Sequence, residues 1–185
     1  MRRIFFAVPL NASHVKPFLP LYQKVVRENP HVVFSPVSKW HITLHFVGDV
    51  SEKALEKIME NFKNVHLPRM HPIVLGGNPP LGRFGNSVLY LRVTDEQKSL
   101  HALHTILKGM VPVRLEQTYQ PHITWGRNPK HENLQKIVGE NMQTSKKEHN
   151  FGQIFLYESI SNGNETRYMP LAHRRIFCSK RAKTR

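Results

Sequence analysis

The sequence predicts a mixed α and β fold built from two related halves. Strand-like and helix-like segments follow each other along the chain, and one order of elements occurs twice: a strand, a helix and a second strand that carries a His-x-Thr tripeptide. The tripeptides begin at His41 and His122, 81 residues apart. One such tripeptide recurs by chance, but two copies at equivalent points of a repeated order indicate an internal duplication.

In the first half, an apolar run at residues 4–10 predicts a buried strand. Apolar residues at helical spacing then predict a helix from Ser13, its expected cap, to residue 29, although two prolines disfavour its first turns. Residues 40–47 predict a strand, and Gly48-Asp49 after it predicts a turn. Behind a Ser51 cap, a second helix is predicted from the apolar residues of one helical face: Ala54, Leu55, Ile58, Met59 and Phe62.

The second half repeats this order of elements. Residues 73–75 predict a short strand, and the glycines and prolines of residues 76–86 predict a loop. Residues 87–93 predict a strand, and Thr94 with Gln97 predicts a capping box for the helix that follows. The apolar face of that helix is formed by Leu100, Leu103, Ile106, Leu107 and Met110.

The last part of the chain predicts a strand, a helix and a hairpin. Residues 113–126 are strand-like and include the second tripeptide, and a helix is expected around residues 134–138. Residues 151–160 and 166–177 predict two strands. Residues 161–164 between them contain an Asn-Gly step, which is typical of a tight hairpin turn.

The composition points to a basic protein with a polyanionic partner. The 185 residues include 27 Lys and Arg against 13 Asp and Glu, a formal net charge of +14, so nucleic acid is the first partner to expect. We expect a monomer with one domain over residues 1–178 and a basic tail at 179–185. Cys178 is the only cysteine, which excludes an intramolecular disulfide and favours a cytoplasmic protein. No apolar run approaches the ~20 residues of a membrane span.

Each tripeptide places an imidazole beside a hydroxyl. Side chains alternate along a strand, so His41 and Thr43 share one face while their apolar neighbours lie on the other. His122 and Thr124 follow the same rule. If the two halves pack as pseudo-symmetric partners, the polar faces meet across a cleft and form a site with two histidines and two threonines.

Two imidazoles suit an in-line displacement at phosphorus. A neutral histidine takes a proton from the attacking water while a protonated one gives a proton to the departing oxygen, and both forms are accessible near a pKa of ~6.5. Either His41 or His122 can serve as the base, since the motifs are nearly equivalent. The two threonines stabilise charge on the non-bridging oxygens, no metal or cofactor is required, and a cyclic phosphodiester is a natural substrate.

Other interpretations of these residues stay open. A single strand histidine is more often structural than catalytic, and the same cleft could bind a terminal RNA phosphate without turnover. A histidine-ligated metal is disfavoured because His41 and His45 lie four apart on a predicted strand, with no acidic residue at ligand spacing. We expect His45 at the rim of the cleft, and His101 and His104 on the surface of their helix.

The two motifs resemble those of the two-histidine (2H) phosphoesterases, and within them the bacterial and archaeal RNA 2′,3′-cyclic phosphodiesterases, also called LigT-like 2′-5′ RNA ligases. The resemblance covers nearly the whole chain. It is carried by His-Ile-Thr-Leu at residues 41–44 and by Pro-His-Ile-Thr at residues 121–124. The opening residues 3–8 and the late residues 156–159 support it.

This resemblance implies a bilobal α+β fold in which two antiparallel sheets, each backed by helices, form a central groove that holds both motifs. It implies metal-independent hydrolysis of a 2′,3′-cyclic phosphate at an RNA end, tRNA fragments included, to a 2′-phosphomonoester, together with a reversible 2′-5′ ligation. His41 and His122 then form the acid–base pair, and Thr43 and Thr124 hold the phosphate oxygens. Arg127 corresponds to an arginine that contacts the phosphate or the rest of the substrate.

Two features depart from the family pattern. Trp125 and Gly126 stand where relatives often have Leu-Ala, and by strand parity the indole should point away from the cleft while Gly126 leaves room for RNA. Relatives also carry an arginine ahead of the strand that opens the second half, where this chain has Asn86 or Ser87. Arg83, in the loop before it, is a candidate substitute.

Overall fold

The computed structural model describes residues 1–111, 118–127, 148–163 and 165–179. The helix expected around residues 134–138, Asn164 of the hairpin turn, the start of the segment 113–126 and most of the basic tail lie outside these ranges. The strands within them are β1 (Arg2–Pro9), β2 (Val33–Phe34), β3 (His41–Val50), β4 (Ile73–Leu75), β5 (Leu81–Phe84), β6 (Val88–Thr94), β7 (His122–Arg127), β8 (Glu148–His149), β9 (Gln153–Ser161) and β10 (Thr166–Arg175).

These strands form two antiparallel sheets, which confirms the α+β architecture. One sheet has the strand order β10-β9-β1-β3, and the other has the order β2-β7-β6-β4-β8 with β5 paired to β6. Each half therefore places its His-x-Thr strand in a different sheet, β3 in the first and β7 in the second. Because β3 and β7 contact each other, the two sheets meet at the two motifs.

The duplication is visible in the strand register. In both halves the motif strand pairs with the strand that opens the repeated strand-helix-strand order, β3 with β1 and β7 with β6. In both, the pairing skips one residue directly after the threonine, Leu44 in β3 and Trp125 in β7. Because a bulge bends its strand, both motif strands bend at the same point of the motif.

The helices are α1 (Ala12–Val15), α2 (Leu19–Glu28), α3 (Glu52–Asn64) and α4 (Ser99–Gly109). The cap of α3 is Ser51, as predicted, and its hydroxyl accepts a hydrogen bond from the Ala54 amide. The expected Ser13 cap of the first helix is wrong, because Asn11 accepts a hydrogen bond from the backbone of His14 and begins α1. Pro17 lies in a 3-10 turn between α1 and α2, where its missing N–H is tolerated.

The cap of α4 also differs from the prediction. Thr94 and Gln97 form no capping box there. Instead, the buried Asp95 carboxylate accepts hydrogen bonds from the amides of Ser99, Leu100 and His101. A carboxylate at this end also interacts favourably with the positive end of the helix dipole.

Two strand boundaries correct the predicted turns. Gly48, with φ of 86°, makes a bulge rather than a turn, and β3 continues to Val50. β5 occupies part of the predicted loop at residues 76–86 and pairs with β6. The predicted hairpin is confirmed, since β9 and β10 pair along most of their length.

Aromatic packing joins the two motif strands on the face opposite their histidines. Trp40, just before β3, stacks on Trp125 of β7 with ring centroids 5.1 Å apart and an interplanar angle of 21°. Tyr22 of α2 packs edge-on against both indoles. Trp125 is fully buried, so its indole points away from the motif face, as strand parity predicts.

Candidate active site

His41 and His122 are held in the same way in their two halves. Each begins its strand, and Nδ1 of each ring lies 2.8 Å from the backbone oxygen of the residue two positions earlier, Lys39 for His41 and Gln120 for His122. A carbonyl oxygen only accepts hydrogen bonds, so Nδ1 donates and carries the proton of the neutral ring. Nε2 of each neutral ring is then the basic nitrogen.

The two threonines accompany the histidines as predicted. Thr43 Oγ1 lies 3.1 Å from His41 Nε2, so its hydroxyl donates to the neutral ring. Thr124 is half-buried and lies opposite Tyr90 of the neighbouring strand, on the same face of β7 as His122. The structure thus repeats the imidazole-hydroxyl pair in both halves.

Burial controls the proton affinity of both histidines. Removal from water disfavours the imidazolium ion and is the largest cause of the lowered pKa values of His41 and His122. The hydrogen bonds to Lys39 and Gln120 oppose this effect. Positive charge on Arg127 lowers both pKa values further, and charge on His122 lowers that of His41, so these three groups lie within electrostatic reach of one another.

Arg127 is the last residue of β7 and is exposed to solvent. Its charge lowers the pKa of both histidines, which puts it within electrostatic reach of the pair, and its contact with substrate stays a prediction. An anion bound among the three groups would oppose these effects, because it favours the protonated imidazoles that the neighbouring cations disfavour.

Aromatic rings flank each histidine, a feature that the sequence analysis missed. The ring centroids lie between 4.8 and 5.3 Å from the imidazoles. The rings are Phe5 and Tyr168 beside His41, and Phe84 and Tyr90 beside His122. These rings account for part of the burial that lowers the pKa values of His41 and His122.

Strand parity could have identified two of these rings. Phe5 and Tyr90 lie on strands that neighbour the motif strands. The alternation of side chains along those strands places both rings on the sheet face that carries the motif histidines and threonines. The position of Tyr90 also depends on Gly82, where an added Cβ would come within 2.4 Å of the tyrosine ring. Tyr168 and Phe84 lie on β10 and β5, whose pairing the sequence alone does not reveal.

A side chain from one half fixes the motif backbone of the other. Tyr119, which lies directly before Gln120, donates a hydrogen bond from its hydroxyl to the Thr43 carbonyl at 3.2 Å. His104 of α4 donates from Nδ1 to the Leu44 carbonyl at 2.7 Å and stacks on the Tyr119 ring. These bonds satisfy carbonyl groups at the outer edge of β3, the edge strand of its sheet.

His101 and His104, expected on the surface of their helix, are partly exposed, but both are held by hydrogen bonds. His104 packs between α4 and β3, and His101 Nδ1 lies 2.9 Å from the buried Asp95 carboxylate. His45 faces the same helix, with its ring 5.4 Å from that of His104. Burial, followed by charge on His104 and Lys108, lowers the pKa of His45 to about 4, so it is neutral at neutral pH.

The candidate role of Arg83 as a substrate contact does not fit the structure. Arg83 lies opposite Leu89, on the other face of the sheet from Phe84 and Tyr90, and its guanidinium donates to Gly85 and Asn86. An arginine on that face does not reach a phosphate beside His122. Arg92 is the residue opposite His122 in β6, and its Nε donates to the Leu81 carbonyl.

Gly126 is required by packing rather than by RNA. A Cβ at this position would come within 2.5 Å of Val32, which is buried beside β2. The close approach is therefore between β7 and the segment formed by β2 and the residue before it.

Within the described ranges, no three His, Cys, Asp or Glu side chains converge as a metal site. In the same ranges, the helices are too short or too polar to span a membrane.

Residues 26–162 match the family model of the 2′-5′ RNA ligase superfamily. This match spans most of the chain and includes both tripeptides. The chain therefore belongs to this superfamily, the two-histidine phosphoesterases. No curated protein matches the chain.

Solved structures share the fold. E. coli LigT in its apo form is 20% identical, with a TM-score of 0.71 over 95% of this chain and 98% of that chain. A protein of Thermus thermophilus, TT0787, is 17% identical, with a TM-score of 0.69 over 96% and 100%. E. coli LigT complexed with 3′-AMP is 20% identical, with a TM-score of 0.68 over 95% and 98%.

Proposed function

We propose that this protein hydrolyses the 2′,3′-cyclic phosphate at an RNA end to a 2′-phosphomonoester, with His41 and His122 as the acid–base pair. The observation that supports this activity most is the equivalent anchoring of the two rings. Both imidazoles use Nδ1 to bind a backbone carbonyl at 2.8 Å, which leaves two basic Nε2 atoms on motif faces that meet. In-line chemistry at phosphorus needs such a pair, one on the attacking side and one on the leaving side.

The reaction balances with these groups alone. One neutral histidine accepts a proton at Nε2 from water as the water oxygen bonds to phosphorus. The bond from phosphorus to the 3′-oxygen breaks, and the protonated Nε2 of the other histidine donates its proton to that oxygen. Thr43, Thr124 and Arg127 stabilise the negative charge on the non-bridging oxygens.

The same groups support 2′-5′ ligation when an RNA 5′-hydroxyl replaces water as the nucleophile. The name of the matched superfamily and the nucleotide complex of E. coli LigT are consistent with an RNA substrate. The net charge of +14 favours binding of a polyanion.

The decisive experiment is turnover of an oligoribonucleotide with a 2′,3′-cyclic end, measured in EDTA at catalytic enzyme concentration. We expect the wild-type protein to release a 2′-phosphomonoester, and His41→Ala and His122→Ala each to lower kcat by about 10²–10⁴-fold. His66→Ala, at an exposed histidine after α3, is the matched control and should keep the wild-type rate.

Binding of the RNA without conversion would instead identify a non-catalytic module for RNA ends. Loss of activity in EDTA would identify a metal-dependent enzyme. Wild-type rates in either active-site variant would exclude the two-histidine mechanism.

A further inference from the structure

A pocket of about 500 Å³ lies beside the candidate active site, with a lining that includes neither His41 nor His122. It is bounded by the end of β1, the turn into α1, the residues before β9, and residues of β9 and β10 on the sheet face that carries His41. Its walls include Pro9, Asn11, His14, Phe155, Tyr157 and Arg175. The volume is in the range of pockets that bind small organic ligands.

The pocket opens on the same face of the sheet as the motif. Residues that are paired across antiparallel strands point to the same face. Ala7 of β1 is paired with Thr43 on one side and with Phe155 on the other. Phe155 therefore lies on the face that carries Thr43 and His41.

A continuous series of ring contacts connects the two sites. Phe5 lies 5.2 Å from the His41 ring and stacks on Tyr157 at 5.5 Å. Tyr157 stacks on Phe155 at 5.3 Å, and Phe155 stacks on His173 at 5.3 Å. Unlike the buried Phe5, the rings of Tyr157 and Phe155 are partly exposed and can stack with a ligand.

The charge of the pocket is positive. Arg175 ends β10, is exposed, and is paired with Gln153, another residue of the lining. The preceding Arg174 points to the other face, where its guanidinium donates to three carbonyl groups at the end of α3. None of the described residues that line the pocket carries a carboxylate, so Arg175 faces no competing anion within the lining.

This combination of groups suits a nucleotide. Aromatic faces stack with bases, side-chain amides such as that of Gln153 bind base edges, and an arginine binds a phosphate. Three strand-to-strand steps of about 4.8 Å separate β3 from β10, which amounts to about 14 Å along the sheet. A single nucleotide bound at the histidines does not reach the pocket across that distance. The next nucleotide of an RNA chain does reach it.

We propose that this pocket binds the nucleotide that precedes the cyclic-phosphate end, with its base on Phe155 and Tyr157 and its phosphate at Arg175. The inference rests on the proposed function and deepens it, since it identifies the substrate as an oligonucleotide rather than a free cyclic mononucleotide.

The experiment compares kcat/KM for a 2′,3′-cyclic mononucleotide with kcat/KM for di- and trinucleotides that have the same cyclic end. For the wild-type protein we expect a gain of about tenfold from mononucleotide to dinucleotide, mainly through a lower KM, because one stacked base contributes binding of this order. Arg175→Gln and Phe155→Leu should remove most of that gain. Arg167→Gln is the matched control, because Arg167 lies on the same strand, is exposed, and pairs with Glu165 away from the pocket.

The outcomes separate this inference from the proposed function. Turnover of the mononucleotide without a gain for longer substrates, or an Arg175→Gln variant with the wild-type gain, would overturn the pocket assignment and leave the catalytic proposal intact. If no cyclic substrate is turned over, the proposed function fails. In that case, equal binding of mono- and dinucleotides in fluorescence titrations would also overturn the pocket assignment.

Discussion

At the scale of single residues, the backbone oxygens of Lys39 and Gln120 determine the chemistry of the two histidines. By accepting from Nδ1, each oxygen selects the tautomer in which Nε2 is the basic atom and orients the ring without a carboxylate partner. A carboxylate in this position would raise the pKa of the imidazole, whereas here burial is the dominant effect and lowers it. Both rings of the free protein are therefore mostly neutral at pH 7.

This balance predicts an acid-shifted pH profile. The general acid must be protonated, and its pKa in the free protein is below the usual 6.5, so kcat/KM should rise as the pH falls through 6.5 and should decline once the base is also protonated. Because the phosphate charge of bound substrate favours imidazolium, the optimum of kcat should lie at higher pH than that of kcat/KM. Steady-state kinetics between pH 4 and 9 measure both curves.

Arg127→Gln provides the internal check on that profile. Removal of this cation takes away a charge that lowers both histidine pKa values, so the kcat/KM optimum should move to higher pH. Arg69→Gln, at an exposed arginine between α3 and β4, should leave the optimum in place. A wild-type optimum at or above pH 7, or an unchanged optimum in Arg127→Gln, would contradict the electrostatic account.

At the scale of secondary-structure elements, the segment before β7 couples the two motifs. Tyr119 donates to the Thr43 carbonyl, and the next residue, Gln120, orients His122. Four consecutive residues thus connect the backbone of one motif to the imidazole of the other. His104 of α4 reinforces the connection by stacking on Tyr119 and binding the Leu44 carbonyl.

We expect Tyr119→Phe to lower both stability and activity. Loss of the hydroxyl leaves the Thr43 carbonyl without this donor, which should reduce the free energy of unfolding by about 1 kcal/mol. It should also lower kcat, because the backbone of the first motif is then displaced. Tyr22→Phe is the matched control, because its hydroxyl donates to the Ser35 carbonyl and not to a motif residue. Denaturant unfolding and turnover of a cyclic-ended substrate give the two quantities. Equal kcat in the two variants would show that Tyr119 does not position the motif.

The sequence predicted those elements whose signals are local. The Ser51 cap, the amphipathic α3 and the alternation of both motif strands follow from neighbouring residues, and all are present. Gly48 was misassigned because its role depends on a distant partner, since β1 pairs on both sides of the bulge. The cap of α4 was misassigned although it is local, because Asp95 rather than the adjacent Thr94 accepts from the first amides of the helix. For the site, parity predicted the histidines and threonines, whereas Tyr168 approaches His41 only through the pairing of β10 with β9.

At the scale of the whole molecule, the duplication explains why the site is symmetric. Each sheet contributes one motif strand, each motif strand has its bulge after the threonine, and the two indoles of Trp40 and Trp125 join the strands on the opposite face. The positive charge of the chain and the cations near the histidines make an anion the complementary occupant of the space between the motifs.

The most direct test is whether His41 and His122 share one phosphate. Titration of inorganic phosphate into the protein, followed by NMR of ¹⁵N-labelled imidazoles over a range of pH, reports both pKa values at once. We predict that phosphate raises the pKa of both histidines with one common dissociation constant. A response from only one of the two rings, or two different dissociation constants, would contradict a shared anion and the two-histidine mechanism with it.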